Sequence, residues 1–219
     1  MAALFILHCL PFWERGKYHA RAKGDSRVHK GRLEAFSDGV IAIIITIMVL
    51  ELKRPVDVSL GALVAIGPHI LIYALSFIYV GIYWNNHHHM FQVVKSVNGG
   101  VLWANLHLLF WLSLVPFTSA WMGEHYDQAW PVVAYGADLL LTGAAYMILA
   151  RLLVLHEGPG SVLARAFGYD AKTILSLAAY LTAVAAAFFI PYISLALYAA
   201  VALIWLVPDR RVERAMAQS

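Results

Sequence analysis

The sequence contains few charged residues. Asp, Glu, Lys and Arg make up 13% of its 219 residues, while 61% are hydrophobic. A soluble globular domain carries about 25% charged residues. Here the charges are separated by several long apolar runs, and an α-helix needs about 20 such residues to cross a bilayer. The composition therefore predicts an all-α membrane protein that crosses the bilayer several times.

Cysteine and the common catalytic motifs are also scarce. Cys9 is the only cysteine, which excludes an intrachain disulfide and a cysteine-based metal cluster. Walker, GxSxG, HExxH and dinucleotide-binding patterns do not occur, and there is no internal repeat. The consecutive His87, His88 and His89 are poor zinc ligands, because neighbours on a helix point about 100° apart and zinc needs three or four convergent ligands. We predict no enzyme, no metal and no cofactor.

The basic residues are distributed by membrane side. Six spans are predicted, at about 34–52, 60–86 (bent at Pro68), 101–121, 131–154, 173–190 and 192–207. With this alternation, only Lys53 and Arg54 of the 16 basic residues lie on one side. The positive-inside rule places the other side, with both termini, in the cytoplasm.

This topology predicts three regions in a multi-pass protein of the cell membrane. Residues 1–31 form a basic cytoplasmic segment near anionic lipid, 32–207 a six-helix transmembrane domain, and 208–219 a cytoplasmic tail. Because the basic residues follow the membrane side, the net charge of +3 does not indicate a nucleic-acid partner.

The first span carries a regular stripe of residues. At about 100° per residue, Gly39, Ile43, Thr46 and Leu50 stack along one face. One small residue, one hydroxyl and two branched aliphatics are suited to lining a narrow pore in an oligomer. They are also suited to a helix–helix contact, where Gly and Thr are favoured in membranes. The spacing alone favours packing over pore lining.

Polar residues cluster at the inner end of this span. Arg32, Ser37 and Asp38 lie at the same depth as the end of the second span, because one helix starts where the other finishes. That end contains Asn86, His87 and His88. We predict that these side chains satisfy one another's hydrogen bonds and brace the two helices, with the histidines as proton-sensitive members. The alternative is that they simply meet lipid headgroups and water.

Two further polar features stand apart. Asp138, about two turns into the fourth span, is predicted to pair inside the bundle rather than to act as a relay. Phe167-Gly168-Tyr169-Asp170 is similar to part of the carbonyl filter of ordinary potassium channels. It lacks the preceding Thr-Val and is predicted in an inner loop, so we treat it as a coincidence.

Three ordered blocks between residues 32 and 124 resemble the transmembrane protein 175 family, lysosomal potassium channels and their bacterial homologues. The first-helix signature is matched by Arg32, Phe36-Ser37-Asp38-Gly39 and Ile41-Ala42-Ile43 through Thr46. The second-helix ending is matched by Trp84, Asn86, His87, His88 and Phe91. The third is matched by Leu114-Val115-Pro116-Phe117-Thr118 with Gly123-Glu124. Residues 125–219 match only as three further spans, and His89 extends the family's usual pair of histidines.

The resemblance implies a potassium-selective homotetramer in which helix 1 of each chain lines a central pore. By position, Ile43 is the narrowest hydrophobic ring, Thr46 a hydroxyl ring and Leu50 an outer constriction. These replace the carbonyl (TVGYG) filter, and the pore set also includes Ile47 and Gly39. The supporting polar network is Arg32, Ser37, Asp38, Asn86, His87 and His88. Pore lining thereby overtakes packing, and the expected partners are the chain itself, potassium ions and lipids.

The alternative function is a secondary transporter or proton-coupled cation carrier. Its site would lie within each chain, between repeats or broken helices. The unbroken first span and the absence of a repeat favour the channel.

Overall fold

The computed structural model describes residues 30–166 and 171–206, and no β-strand occurs among them. Most of the predicted N-terminal segment, the predicted tail and Phe167–Asp170 lie outside these residues. The described helices are α1 (Lys30–Leu50), α2 (Leu60–Ala65), α3 (Gly67–Gln92), α4 (Gly99–Leu112), α5 (Val115–Glu124), α6 (Ala129–Glu157), α7 (Val162–Ala166), α8 (Ala171–Ala186) and α9 (Pro191–Leu206).

Four stretches are long and apolar enough to cross a membrane: α1, α3, α4 together with α5, and α6. The remaining predicted spans correspond to α8 and α9, which are apolar but have only 16 residues each. At 1.5 Å per residue, such a helix is about 24 Å long, shorter than the hydrocarbon core of about 30 Å. The predicted helical fold with several candidate membrane spans is thus confirmed for the described residues, and the count of six crossings stays a prediction.

Two predicted spans are interrupted near prolines. The second is not one bent helix but two, separated at Ile66, with Pro68 in the first turn of α3. The third is interrupted by a turn at Ser113 and Leu114, just before Pro116 in the first turn of α5. Proline lacks an N–H donor and is tolerated in a first turn, where that donor has no helical partner.

Local hydrogen bonds define several helix ends. Asn98 Oδ1 accepts from the Val101 N–H at 3.0 Å and caps α4, as Ser59 Oγ does for α2 through Ala62. Lys30 Nζ donates to the Phe91 carbonyl near the C-terminus of α3 at 2.9 Å; this carbonyl also accepts from the Val94 N–H at 3.2 Å. The Lys30 contact places the start of α1 beside the end of α3, as the sequence predicted.

α6 lies at the centre of the bundle and packs against α4, α5, α8 and α9. α1 lies at the edge, against α3, α4 and α5. It is attached by one face, which buries Leu33, Ser37, Ile41, Ile44 and Met48. The opposite face of α1 is left without a partner in the single chain.

α6 and α9 approach each other closely at Gly136. A methyl group at Gly136 would overlap the Tyr198 hydroxyl, which donates to the Val132 carbonyl at 3.1 Å. We expect Gly136→Ala to destabilise the bundle by about 1–3 kcal/mol, the usual cost of overpacking. The measurement is the melting temperature of the purified protein in detergent.

Gly143→Ala is the matched control on the same helix. Its added methyl would meet Leu177 and Tyr83 only at 3.5 Å, an ordinary contact, while alanine favours the helix over glycine. Its melting temperature should equal or exceed that of the parent. Equal losses in the two variants would contradict the close approach of α6 and α9.

Candidate functional site

The unpartnered face of α1 contains the residues of the predicted pore set. Gly39, Ile43, Thr46, Ile47 and Leu50 are all exposed in the single chain. Ile43 is 58% and Leu50 79% exposed, high values for large aliphatic side chains on a regular helix. The stripe therefore forms an uncharged surface on the side of α1 that faces away from its own bundle.

The Thr46 side chain has a defined orientation on this face. Its hydroxyl donates to the Ile43 carbonyl at 2.8 Å. Because the single hydroxyl proton is used within the helix, the free lone pairs of Oγ1 are available for an external donor or cation. Thr46 thus presents a neutral oxygen ligand between two apolar residues, Ile43 and Leu50.

A groove of about 400 Å³ runs beside the stripe, between α1 and the turn from α4 to α5. Its walls are mainly apolar: Val40, Ile43, Ile44, Ile47, Glu51, Ser113, Pro116 and Phe117. Phe117 is 64% exposed. The apolar surface therefore extends from α1 onto α5.

A buried hydrogen-bond chain joins α1, α4 and α3 at the predicted inner end. Ser37 Oγ donates to the Leu33 carbonyl at 2.9 Å, so it must accept from Asn105 Nδ2, also at 2.9 Å. Asn105 Oδ1 then faces His87 Nε2 at 2.8 Å. Since Oδ1 can only accept, His87 must carry a proton on Nε2.

Asn105 was not predicted as a site residue, although it completes this chain. Ser37, His87 and Asn105 are all at least 98% buried, and unpaired polar groups in such a setting are costly. The signal in the sequence was an amide in the middle of the apolar run of α4, where a polar residue in a membrane segment indicates a partner.

Asp38 is held differently from its neighbour Ser37. It is exposed, and its Oδ1 accepts from the Trp84 indole at 2.9 Å. His88 stacks on Trp84, with ring centroids 5.8 Å apart. Consecutive residues on a helix point about 100° apart, which separates Asp38 on the exposed side from Ser37 on the buried side. Asp38 therefore connects α1 directly to α3, whereas Ser37 connects α1 to Asn105 of α4.

The predicted direct pairing among Arg32, Asp38, His87 and His88 is therefore not found. Arg32 is exposed and forms no ion pair with any residue that the structure describes. Asn86 forms none of these hydrogen bonds and lines a cavity of about 40 Å³ whose walls include four tyrosines. Across the described ranges, no three His, Cys, Asp or Glu side chains converge on a point that could hold a metal ion.

Comparisons with known proteins show which proteins this chain is similar to. The family described as "Endosomal/lysosomal potassium channel TMEM175" matches residues 32–116, the segment that contains the stripe and the buried chain. A potassium channel of Chryseobacterium sp. (strain P1-3) is 53% identical over 190 residues, covering 87% of this chain and 99% of that protein. The chain belongs to the TMEM175 family.

A solved TMEM175 structure agrees with this assignment. It is described as the crystal structure of a lysosomal potassium-selective channel TMEM175 homolog from Chamaesiphon minutus. Its TM-score is 0.70 and its identity 26%, covering 82% of this chain and 97% of that chain. The resemblance drawn from three short blocks is thus confirmed, and this TMEM175 protein is a membrane channel rather than an enzyme.

The eukaryotic TMEM175 relatives are named for a different ion, the proton. The Homo sapiens protein, named as an endosomal/lysosomal proton channel, is 30% identical over 144 residues, which cover 58% of this chain and 29% of that protein.

Proposed function

We propose that the protein is a potassium-selective channel in which four copies surround a central pore lined by α1. The observation that carries this proposal is the uncharged stripe of α1, which is exposed in the single chain although Ile43 and Leu50 are large aliphatic residues. A single helix face cannot enclose an ion path. Repetition of one face around a symmetry axis can do so.

The chemistry of the stripe favours a weakly coordinating filter. In this arrangement Ile43 forms the narrowest ring, Thr46 a ring of hydroxyl oxygens and Leu50 an outer constriction, with Gly39 and Ile47 beside them. No carboxylate is available on the stripe to bind a bare cation. Selectivity then comes from pore width, hydration and the Thr46 oxygen, and potassium sheds its water more easily than sodium. Narrow hydrophobic rings also stop conduction by dewetting.

The buried chain through Asn105 and the contact between Asp38 and Trp84 fit a bracing role. They connect α1 to α3 and α4 at one end. This prevents α1 from rotating about its own axis and keeps the stripe facing the proposed pore. Arg32 lies on the exposed side of α1, where a neighbouring copy would be its partner.

The proposed topology follows the charge distribution. α8 and α9 complete six crossings of the inner membrane, both termini are cytoplasmic, and the channel domain is 32–207. The shortness of α8 and α9 is accommodated by local thinning of the bilayer or by flanking residues that reach the interface.

A flux assay in liposomes tests the proposal. Purified protein is reconstituted with a potassium gradient, and the flux is compared with that of sodium and of protons. The channel predicts electrogenic potassium flux that exceeds sodium flux and needs no second solute. Strictly coupled or electroneutral flux would establish a transporter instead, and flux carried mainly by protons would match the activity named for the eukaryotic relatives.

Thr46→Val tests the hydroxyl ring directly. Valine keeps the shape of threonine but lacks the oxygen, and a neutral oxygen contact contributes on the order of 1 kcal/mol. We expect the ratio of potassium to sodium flux to fall about fivefold, while the mass of the assembly in detergent is unchanged.

The control is Thr182→Val on α8. The Thr182 hydroxyl is exposed and donates to the Ala178 carbonyl at 2.9 Å, so the substitution removes the same kind of local bond away from the stripe. It should leave the flux ratio unchanged. If Thr46→Val also leaves it unchanged, the ion path does not pass Thr46.

A further inference from the structure

A carboxyl group is buried inside the subunit, away from the stripe. Asp138 of α6 is only 4% exposed. Its Oδ2 lies 2.9 Å from Thr118 Oγ1 of α5, which confirms the predicted pairing inside the bundle. Its Oδ1 is fully buried and has no hydrogen-bond partner among the residues that the structure describes.

A second unpartnered oxygen lies on the same face of α6. Thr142 follows Asp138 by four residues, so the two side chains are neighbours along the helix. Thr142 is 0% exposed, and its Oγ1 also lacks a partner within the described ranges. Buried oxygens without partners are rare in folded proteins, and here two occur one turn apart.

The part of the chain that the structure describes provides no positive charge to neutralise a carboxylate at Asp138. The ionisable groups close enough to interact electrostatically with Asp138 are the Tyr83 and Tyr135 hydroxyls, and Tyr135 shares a hydrogen bond with Ser76 of α3. No described Lys, Arg or His forms an ion pair with Asp138. An ionised Asp138 would therefore be buried with one neutral donor, an arrangement that a membrane protein interior strongly disfavours.

Thr118 can adjust to a neutral acid as well as to a carboxylate. Besides Asp138 Oδ2, its Oγ1 lies 3.2 Å from the Leu114 carbonyl and 3.3 Å from the Val115 carbonyl. When Asp138 is protonated on Oδ2, the acid donates to Thr118 Oγ1, and the Thr118 proton turns to a backbone carbonyl of α5. The Asp138 and Thr118 protons then both have acceptors, and no charge is buried.

We propose that Asp138, Thr118 and Thr142 form a proton-binding site inside each subunit, separate from the ion path along α1. In it Asp138 is held as the neutral carboxylic acid. These side chains offer four oxygens in all, fewer than the six or more that replace the hydration shell of a hard cation, so the ligand is a proton. The site does not depend on the proposed potassium selectivity.

The site is connected to the face of α1 through a single helix. Thr118 directly follows Phe117, which lines the groove beside Ile43 and Ile47. Loss of the proton would reverse the Thr118 hydrogen bond and place a charge behind this part of α5. The proton is therefore positioned to influence the packing of α1 without entering the pore.

Infrared spectroscopy tests the protonation state directly. The reconstituted protein at neutral pH should show the carbonyl stretch of a protonated carboxylic acid, which shifts in heavy water and is absent from Asp138→Asn. Thr118→Val, made in the protein that keeps Asp138, removes the hydroxyl that accepts the Asp138 proton. It should change the frequency of this band without abolishing the band. Absence of the band in the unmodified protein would overturn the proposal, whether or not Asp138→Asn folds.

Stability against pH supplies a second readout. The folded subunit holds a proton that the unfolded chain releases at neutral pH, so stability should fall as the pH rises. Asp138→Asn, which copies the shape of the neutral acid, should lose less melting temperature between neutral and alkaline pH. An equal loss in both proteins would overturn the proposal. The proposal would also be overturned if sodium or potassium raised the melting temperature of the parent but not that of Asp138→Asn, because the ligand would then be a metal cation.

Discussion

Ile43→Asn is expected to raise the potassium conductance severalfold and to bring the ratio of potassium to sodium flux towards one. Ile43 lies at the middle of the exposed stripe of α1, 58% exposed in the single chain, and in the proposed tetramer its four copies form the narrowest apolar ring. A ring of amides holds water where a ring of isoleucines expels it. The measurement is the flux of each ion in liposomes that contain equal amounts of protein.

Val49→Asn is the matched control for this substitution. Val49 is also a β-branched residue on α1 and is 47% exposed, but it lies about 120° around the helix from Ile43. An amide there should leave the flux ratio unchanged. The pore assignment is wrong if Ile43→Asn behaves like the parent channel, or if both variants change the ratio to the same extent.

Asn105→Ala should cause the largest loss of stability among the polar substitutions. The change leaves the Nε2 proton of His87 without an acceptor and removes the donor to Ser37 Oγ, both in a buried setting. A buried polar group left unpaired costs about 1–3 kcal/mol, so we expect the free energy of unfolding to fall by roughly 2–4 kcal/mol. The melting temperature in detergent should fall clearly, and the mass of the assembly should shift towards smaller species, because the same bonds hold α1 in place.

Asn86→Ala provides the comparison. Asn86 has the same side chain and lies near the same end of the bundle, but it borders a cavity and forms none of the hydrogen bonds between α1, α3 and α4. We expect Asn86→Ala to lower the free energy of unfolding by less than about 1 kcal/mol, as is usual for a substitution outside a buried network. If Asn86→Ala were as damaging as Asn105→Ala, the buried chain would not be what fixes α1.

The helical architecture was predictable because it follows from properties of single segments. A scarcity of charge and long apolar runs predicted membrane helices, and the positions of α1, α3, α4 with α5, and α6 agree with that prediction. The stripe of Gly39, Ile43, Thr46 and Leu50 was visible from the helical period alone. Its exposure on one side of α1 agrees with the spacing, although the spacing by itself had favoured helix packing.

The prediction failed where the answer depends on two helices at once. The inner polar residues were correctly grouped by depth, since α1 begins where α3 ends. Depth does not specify rotation, however, so Ser37 and Asp38 were assigned to one cluster although they face different neighbours. Asn105 was missed because its partners come from α1 and α3, 68 and 18 residues away along the chain.

Single segments of the chain were enough to predict a helical membrane protein, the uncharged stripe of α1 and the resemblance to the TMEM175 family. These depend on composition, period and motif, which are local properties of the chain. The packed helices show, in addition, which face of α1 is buried, that Asn105 connects Ser37 to His87, and that Asp138 meets Thr118 with no countercharge among the described residues. The reason is physical: side chains on different helices meet according to the rotation and offset of those helices, and packing of the whole bundle determines both.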